Sequence, residues 1–221
     1  MHWSAVPIHF VDFEGSLGCG VIEFGVVTLQ GSEIKETRTR LCRASGRIRP
    51  EDAALHGLAD EMVASAAPFA DDFAFFARLR ESGPLAAHFA HVENSLLKAV
   101  WPYPRVCPDF GRPGVTHADW GPWLDTGRLY GELYPKLESR SLEPLIGLFE
   151  LQADLDTLAA VHCPPQRRCY HSALYDAIAG TLLLKALLAR EEFSAATIPW
   201  LIQMSTANAE KRDSLRQAEL F

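Results

Sequence analysis

The sequence lacks an excess of positive charge. Its 221 residues include 21 lysines and arginines against 28 aspartates and glutamates, which gives a formal net charge of −7. This balance argues against a protein that coats nucleic acid through a broad basic surface. It is compatible with an enzyme that holds a few phosphates locally through metal ions.

The sequence also lacks the features of secreted and membrane proteins. Its five cysteines form no C-x-x-C pair, and residues 1–4 have neither the basic nor the long apolar region of a secretory signal. The longest apolar run, 177–189, contains Lys185 and is too short to span a bilayer. We therefore expect a cytoplasmic protein with reduced thiols and no membrane partner.

The length and the hydrophobic content of 48% suit one large domain with a packed core. Three strand-like segments with short turns lie between residues 6 and 41, which indicates an antiparallel meander. Helical and strand-like segments alternate afterwards. We predict an α/β, ribonuclease-H-like mixed sheet of about five strands, an antiparallel meander plus parallel strands, flanked by helices. We expect this domain to cover 1–193 and a helical extension to cover 194–221.

Local signals place several of the later elements. Helices are expected to begin at Pro50, Pro68 and His91, because proline and acidic residues favour the first turn of a helix. A short buried strand is expected over 85–90. A second strand is expected to end at 123–126, where Asp125 or Thr126 would cap the next helix.

Two acidic residues follow the first apolar run, 6–11. On a strand, Asp12 and Glu14 point to the same face because successive side chains alternate between faces. Neither carboxylate belongs in a core unless something neutralises it. Two converging carboxylates suit a divalent metal ion with oxygen ligands. A strand end whose acids meet solvent is the alternative for this pair taken alone.

Three later residues extend this set. Glu93 lies at a predicted helix start, where the helix dipole favours negative charge. His171 and Asp176 lie at the start of the long C-terminal helix, and aspartate is unfavourable inside a helix unless it caps, pairs or binds something. Pairing of Asp176 with Arg167 or Arg168 is the structural alternative.

A zinc site can also be drawn in this region. Its ligands would be His162, Cys163, Cys169 and His171. The spacing fits no common zinc module, and the site would consume His171, so we reject it.

Five segments, taken in chain order, resemble the motifs of the DEDDh exonucleases, the family of the proofreading subunit of bacterial replicative polymerase and of ribonuclease T. They are VDFE at 11–14, LHGLADE at 55–61, AHFAHVE at 87–93, WLDT at 123–126 and HSALYDA at 171–177. The resemblance implies a metal-dependent 3′-to-5′ exonuclease that releases nucleoside 5′-monophosphates.

The resemblance implies a role for each catalytic residue. Asp12 would bridge two divalent cations, Mg²⁺ or Mn²⁺, and Glu14 and Asp176 would complete one cation site. Glu93 would lie by the second cation, through water. His171 would be the general base, a role that imidazole performs well near neutral pH. Two cations stabilise the entering and leaving oxygens of an in-line phosphoryl displacement.

The resemblance also implies substrate contacts. They fall at His56, Gly57, Gly15, Ser16 and Phe89. The chain departs from the family pattern at three places: the family usually has Asp at the position of Glu93, Asn at that of Phe89 and Thr at that of Gly15. The longer side chain of Glu93 would alter the affinity for the second metal, or the rate.

The C-terminal pentapeptide QAELF, 217–221, resembles the bacterial sliding-clamp-binding peptide. In that peptide a glutamine leads and a Leu-Phe pair fills an apolar pocket, so Gln217, Leu220 and Phe221 would be the contacts. The alternative is a frayed helix end that packs Leu220 and Phe221 on the domain.

We therefore expect a 3′-to-5′ exonuclease that acts on single-stranded 3′ ends. DNA is the preferred substrate because of the clamp-like tail, with a role in proofreading or repair. Two alternatives stay open: trimming of RNA ends by the same residues, since recognition of the 2′-hydroxyl depends on pocket shape, and a non-catalytic clamp- or polymerase-binding module in which Glu93 reflects a weakened site.

Overall fold

The computed structural model describes residues 1–206. The strands are β1 (Ile8–Ser16), β2 (Gly20–Gln30), β3 (Glu33–Leu41), β4 (Leu85–Ala87), β5 (Cys107–Pro108), β6 (Thr116–His117) and β7 (Leu124–Asp125). The helices are α1 (Pro50–His56), α2 (Asp60–Val63), α3 (Phe73–Ser82), α4 (His91–Val100), α5 (Thr126–Leu133), α6 (Leu142–Leu148), α7 (Gln152–His162), α8 (Ala173–Leu188) and α9 (Ile198–Met204).

The main sheet has five strands in the order β3-β2-β1-β4-β7. β1, β2 and β3 form the antiparallel meander, while β4 pairs with β1 and with β7 in parallel. β5 and β6 form a separate two-stranded hairpin. The predicted mixed α/β sheet, an antiparallel meander plus parallel strands flanked by helices, is confirmed.

The alternation of apolar side chains along β1 creates two cores. Ile8 and Phe10 belong to a core that contains most of α8. Val11 and Phe13 point to the opposite face, where aromatic residues of α3 and residues of α4 pack. The sheet is therefore covered on both faces.

The start of α8 lies directly on β2. A Cβ atom added at Gly25 would lie 2.3 Å from the carbonyl carbon of Ala173 and 2.3 Å from the backbone nitrogen of Leu174. Because real Cβ atoms do not approach backbone this closely, only glycine permits the contact. This close packing fixes the height of α8 above the sheet.

Two of the expected elements differ in the structure. The helix expected from Pro68 begins as a 3₁₀ turn over Phe69–Asp72 and becomes α-helical at Phe73. The strand expected over 85–90 ends at Ala87, because the chain turns at Phe89 with a positive φ of 61°.

The part of the predicted extension that the structure describes packs on the main core. Ile198, Leu201 and Ile202 of α9 are fully buried there. The hydroxyl of Ser205 accepts a hydrogen bond of 2.9 Å from the backbone N–H of Asp125. Residues 207–221, which hold the clamp-like pentapeptide, lie outside the described residues.

Two further features of the described residues concern the cysteines and the helices. All five cysteines are free thiols. Within the part of the chain that the structure describes, every helix is too short or too polar to cross a membrane.

Candidate active site

The carboxyl ends of three parallel strands meet at one edge of the sheet. β1 brings Asp12 and Glu14 to this edge, β4 leads into the helix that carries Glu93, and β7 ends at Asp125. Glu93 occupies the first turn of α4, where the helix dipole stabilises negative charge. Crevices at such strand ends are the usual location of sites in open α/β sheets.

The register of β1 against β2 explains why α8 reaches the same acids. Asp12 lies opposite Gly25, and Glu14 lies opposite Glu23. Paired residues share a face of the sheet, so α8, which touches Gly25, covers the face that carries the acids. Asp176 lies in the first turn of α8 and therefore above them.

Three of the predicted catalytic residues converge closely. One carboxylate oxygen of Glu14, one of Asp176 and one ring nitrogen of His171 all lie within 4.8 Å of one another. Asp12 and Glu93 are not members of this group. In addition to burial, the charges of Asp176 and Glu14 raise the pKa of Asp12, and the charge of Glu93 raises the pKa of Glu14. The structure thus brings together Glu14 and Asp176, which are 162 positions apart in the sequence.

Burial and mutual repulsion raise the pKa values of the β1 acids. Burial raises the pKa of Asp12 well above its usual range, and the charges of Asp176, Glu14 and Glu93 add to the effect. Burial also raises the pKa of Glu14 to about 8, with further contributions from Asp176 and Glu23. Without a cation, these carboxyl groups resist ionisation.

The other two acids behave in the same way. Burial raises the pKa of Glu93 to about 8, with a contribution from the charge of Asp125. Burial raises the pKa of Asp176 to about 7, although the hydrogen bond from the backbone of His171 opposes this. Four carboxyl groups with raised pKa values in one crevice are typical of functional sites.

Two carboxylate oxygens are buried without a hydrogen-bond partner among the described residues. They are Oε2 of Glu93 and Oδ1 of Asp176. Buried polar atoms are nearly always hydrogen-bonded, so each of these atoms has an unused capacity to bind something. Hard oxygen ligands of this kind suit Mg²⁺ and Mn²⁺, and the residues present therefore fit divalent cations.

His171 is exposed and has the strained, left-handed φ of 61°. Its backbone N–H donates a hydrogen bond of 2.9 Å to Oδ2 of Asp176. Its carbonyl oxygen accepts a bond of 3.1 Å from Arg167. Both backbone groups are therefore bonded while the imidazole faces solvent.

The predicted alternative for Asp176 does not occur. Arg167 forms its ion pair with Glu23, and Arg168 donates to backbone carbonyls at the end of α7. Asp176 instead accepts from His171 through one oxygen, and its other oxygen has no partner within residues 1–206.

Two residues beside the site, the buried Glu23 and the partly buried Arg167, were not assigned a role there from the sequence. Glu23 is 3% exposed and forms two hydrogen bonds with Arg167. Glu23 could have been found from the sequence, because it is a glutamate in the otherwise apolar run of β2. No local pattern marks Arg167, because its partner is 144 residues away.

Asp125 caps α5, as predicted, and also has a second role. Its carboxylate accepts from the N–H of Arg128 at 3.1 Å. It accepts as well from the N–H of Phe89 at 3.0 Å and of Ala90 at 3.1 Å. Asp125 thereby fixes the turn that leads into α4, and with it the position of Glu93.

His56 and Gly57 lie at the end of α1, in contact with Arg167. The ring Nδ1 of His56 accepts from the N–H of Leu58 at 3.2 Å, and its Nε2 is buried without a partner among the described residues. Gly57 ends α1 with a left-handed φ of 71°, as its position predicts. Arg167 donates a bond of 2.6 Å to the carbonyl of His56 and so connects this turn to the site.

The remaining predicted substrate residues have local structural roles. Gly15 lies at a β-bulge with φ of 134°, and a Cβ atom there would lie 2.1 Å from the carbonyl oxygen of Gly20, which excludes threonine. The hydroxyl of Ser16 lies 3.3 Å from the thiol of Cys19. The partly buried ring of Phe89 packs against a glycine of α5.

No protein-family model and no curated protein sequence matches the chain. Solved structures do match it. Exonuclease X in complex with 5′-overhanging duplex DNA is 23% identical with a TM-score of 0.62, and the alignment covers 88% of this chain and 99% of that chain.

Two further solved structures show the same similarity. The nuclease domain of 3′hExo, described as a DEDDh family member bound to rAMP, is 15% identical with a TM-score of 0.55 over 85% of this chain and 94% of that one. E. coli Exonuclease I in complex with a dT13 oligonucleotide is 13% identical with a TM-score of 0.58, over 85% of this chain and 42% of that one. The chain therefore has the fold of structurally characterised 3′-exonucleases.

Proposed function

We propose that this chain is a divalent-cation-dependent 3′-to-5′ exonuclease of the DEDDh type. The observation that carries the proposal is the convergence of Glu14, Asp176 and His171 within 4.8 Å, in a fold shared with 3′-exonucleases. The motif order in the sequence and the raised pKa values of the acids support the same function.

Asp12, Glu14 and Asp176 would hold one cation. Asp12 would also hold the second cation, with Glu93 beside it through water. Bound cations would neutralise charge that develops on the phosphate during hydrolysis. The unpartnered oxygens of Glu93 and Asp176 support this assignment. The number of cations, two, and their identity, Mg²⁺ or Mn²⁺, are part of the proposal.

His171 would remove the proton from the attacking water. Its imidazole is exposed to solvent and lies beside two carboxylates, those of Glu14 and Asp176. The fixed backbone of His171 keeps the ring at this position.

The substrate would be the 3′ end of a single-stranded nucleic acid, with the terminal nucleotide at the His56–Gly57 turn and near Gly15, Ser16 and Phe89. DNA is the preferred substrate, on the evidence of the clamp-like tail. RNA is the second candidate, because similar structures are described with a histone mRNA stem-loop and with rAMP.

A competition assay tests the substrate choice. Equal amounts of 5′-labelled DNA and RNA oligonucleotides of one sequence are mixed with the protein and Mn²⁺. We expect both oligonucleotides to be shortened from the 3′ end, with nucleoside 5′-monophosphates as products. The DNA should be shortened faster than the RNA. Faster loss of RNA would replace DNA by RNA in the proposal, and cleavage inside the oligonucleotides would contradict an exonuclease.

We further propose that Gln217, Leu220 and Phe221 bind a bacterial sliding clamp. The support is the pentapeptide sequence alone. In a pull-down with purified clamp, we expect the full chain to be retained and a chain without residues 217–221 to be lost. Equal retention of the two chains would remove this partner.

A further inference from the structure

An ion pair between the buried Glu23 and the partly buried Arg167 lies beside the acid cluster. Glu23 of β2 is 3% exposed and lies directly opposite Glu14 of β1. Like charges at directly opposite positions destabilise a sheet. Glu23 is compensated by Arg167, whose Nε donates to Oε1 at 3.0 Å and whose Nη2 donates to Oε2. The geometry is a two-pronged guanidinium–carboxylate pair.

The donors of Arg167 reach three separate segments of the chain. Besides Glu23, the guanidinium donates to the carbonyl of His56 at 2.6 Å, at the end of α1. It also donates to the carbonyl of His171 at 3.1 Å, in the loop before α8. One side chain thus connects the sheet, the His56–Gly57 turn and the segment that carries the histidine.

Glu23 adds a fourth connection. Its Oε2 accepts a bond of 3.1 Å from the N–H of Ala173, the first residue of α8. Asp176 lies one turn further along this helix. Glu23 therefore holds the start of α8, while Arg167 holds the residue two positions before it.

The backbone of His171 needs such support. A left-handed conformation at a residue other than glycine costs of order 1–3 kcal/mol and persists only when the surroundings enforce it. The carbonyl of His171 is bonded to Arg167, and its N–H is bonded to Asp176. Removing the Arg167 contact frees one of these two constraints.

We propose that Arg167 and Glu23 are a positioning pair, which fixes His171 and the start of α8 for hydrolysis and couples them to the turn at His56. This inference rests on the proposed function of the site. Neither residue is placed on the reacting atoms, so both act through the residues that they hold. A nucleotide that displaces the His56–Gly57 turn would also shift His171, because the guanidinium of Arg167 bonds both segments.

Lysine cannot replace Arg167 in this geometry. A lysine ammonium is a compact charge without the planar fork that serves two carboxylate oxygens and two carbonyls at once. Arg167→Lys keeps the charge beside Glu23 and removes the shared geometry. Arg168→Lys is the matched control, because Arg168 is the adjacent arginine and, within residues 1–206, bonds only carbonyls at the end of α7.

The first measurement compares steady-state kinetics on a DNA oligonucleotide with Mn²⁺. We expect Arg167→Lys and Glu23→Gln each to lower kcat about 10- to 100-fold, and Arg168→Lys to stay within about twofold of the full-length wild type. Because the two residues act as a unit, the double variant should lose little more than the worse single variant. If both single variants kept kcat within about twofold of the wild-type value, the positioning role of Arg167 and Glu23 would be overturned.

A second measurement is independent of nuclease activity. Hydrogen–deuterium exchange of residues 169–173 is followed in the same proteins at equal fractions folded. We expect exchange at this segment to become faster in Arg167→Lys and in Glu23→Gln, and to stay unchanged in Arg168→Lys. Unchanged exchange in both variants would overturn the inference even if the wild type is active. An inactive wild type with faster exchange in the variants would reject the proposed function and keep the positioning role.

Discussion

At the scale of single residues, the site is defined by carboxylates that disfavour one another's charge. Burial and neighbouring acids raise the pKa values of Asp12, Glu14, Glu93 and Asp176. Such a cluster is tolerated in a core when protons or cations neutralise it. The stability of the metal-free protein should therefore change with pH in a defined direction.

We predict that the metal-free protein loses stability as the pH rises. Glu14 and Asp176 have folded-state pKa values of about 8 and about 7, above their ordinary values of 4.5 and 3.8. The folded state then binds more protons than the unfolded state, so the stabilisation is complete below the ordinary pKa and is lost as the pH passes the raised one. Melting temperatures in a chelator should fall between about pH 5 and pH 8.

The variant Glu14→Gln is the control for this prediction. Its melting temperature should depend less steeply on pH than that of the wild type, and Mn²⁺ at about pH 8 should raise the wild-type melting temperature. Identical pH dependence in the two proteins would contradict the electrostatic account of the cluster.

The glutamate at position 93 is the departure that bears most directly on catalysis. Its Oε2 is buried without a partner among the described residues. We predict that Glu93→Gln lowers kcat about 10- to 100-fold, because it removes the charge next to the proposed second cation. Glu93→Asp should retain activity within about tenfold of wild type, since the carboxylate is kept.

Mn²⁺ titrations of these two variants provide the check. Calorimetry should show weaker binding in Glu93→Gln than in Glu93→Asp. Wild-type kinetics and Mn²⁺ binding in Glu93→Gln would mean that Glu93 has no part in the site.

At the scale of secondary-structure elements, the site depends on how closely α8 approaches β2. Gly25 has no room for a Cβ atom, which would lie 2.3 Å from the backbone of Ala173. Any side chain at this position must push α8, and with it Asp176, away from the acids of β1.

We predict that Gly25→Ala destabilises the protein by about 1–3 kcal/mol, the range for overpacking a tight contact, and weakens Mn²⁺ binding. Gly147→Ala in α6 is the matched control, because a Cβ atom at Gly147 meets no neighbour within 4 Å. That change should be neutral or stabilising, as alanine favours a helix over glycine. Chemical denaturation and calorimetry measure both effects, and equal results for the two variants would refute the close-packing argument.

The elements also show which features the sequence could predict. The alternation of β1 correctly put Asp12 and Glu14 on one face, and the proline and glycine at 50 and 57 marked α1 correctly. The early end of β4 was not predictable, because it depends on hydrogen bonds that the distant Asp125 accepts from the turn after the strand. Likewise, Arg167 meets Glu23 only through the tertiary fold.

At the scale of the whole molecule, the fold was predicted from the order of the motifs along the chain. The parallel pairing of β4 with β1 and β7 brings segments from residue 12 to residue 125 to one edge of the sheet, and α8 then closes the site from above. The negative net charge of −7 suits a protein that recognises phosphate through cations at one crevice rather than through an extended basic surface.

Release of nucleotides from a 3′-labelled single-stranded DNA oligonucleotide with Mn²⁺, by the wild type and by His171→Ala, tests the central claim most directly. We predict release by the wild type and a loss of about 100-fold or more in the variant, the typical contribution of a general base, while Mn²⁺ binding persists in the variant. Equal release by both proteins would contradict the assigned role of His171. No release by folded wild type, on DNA or on RNA, would contradict the exonuclease itself.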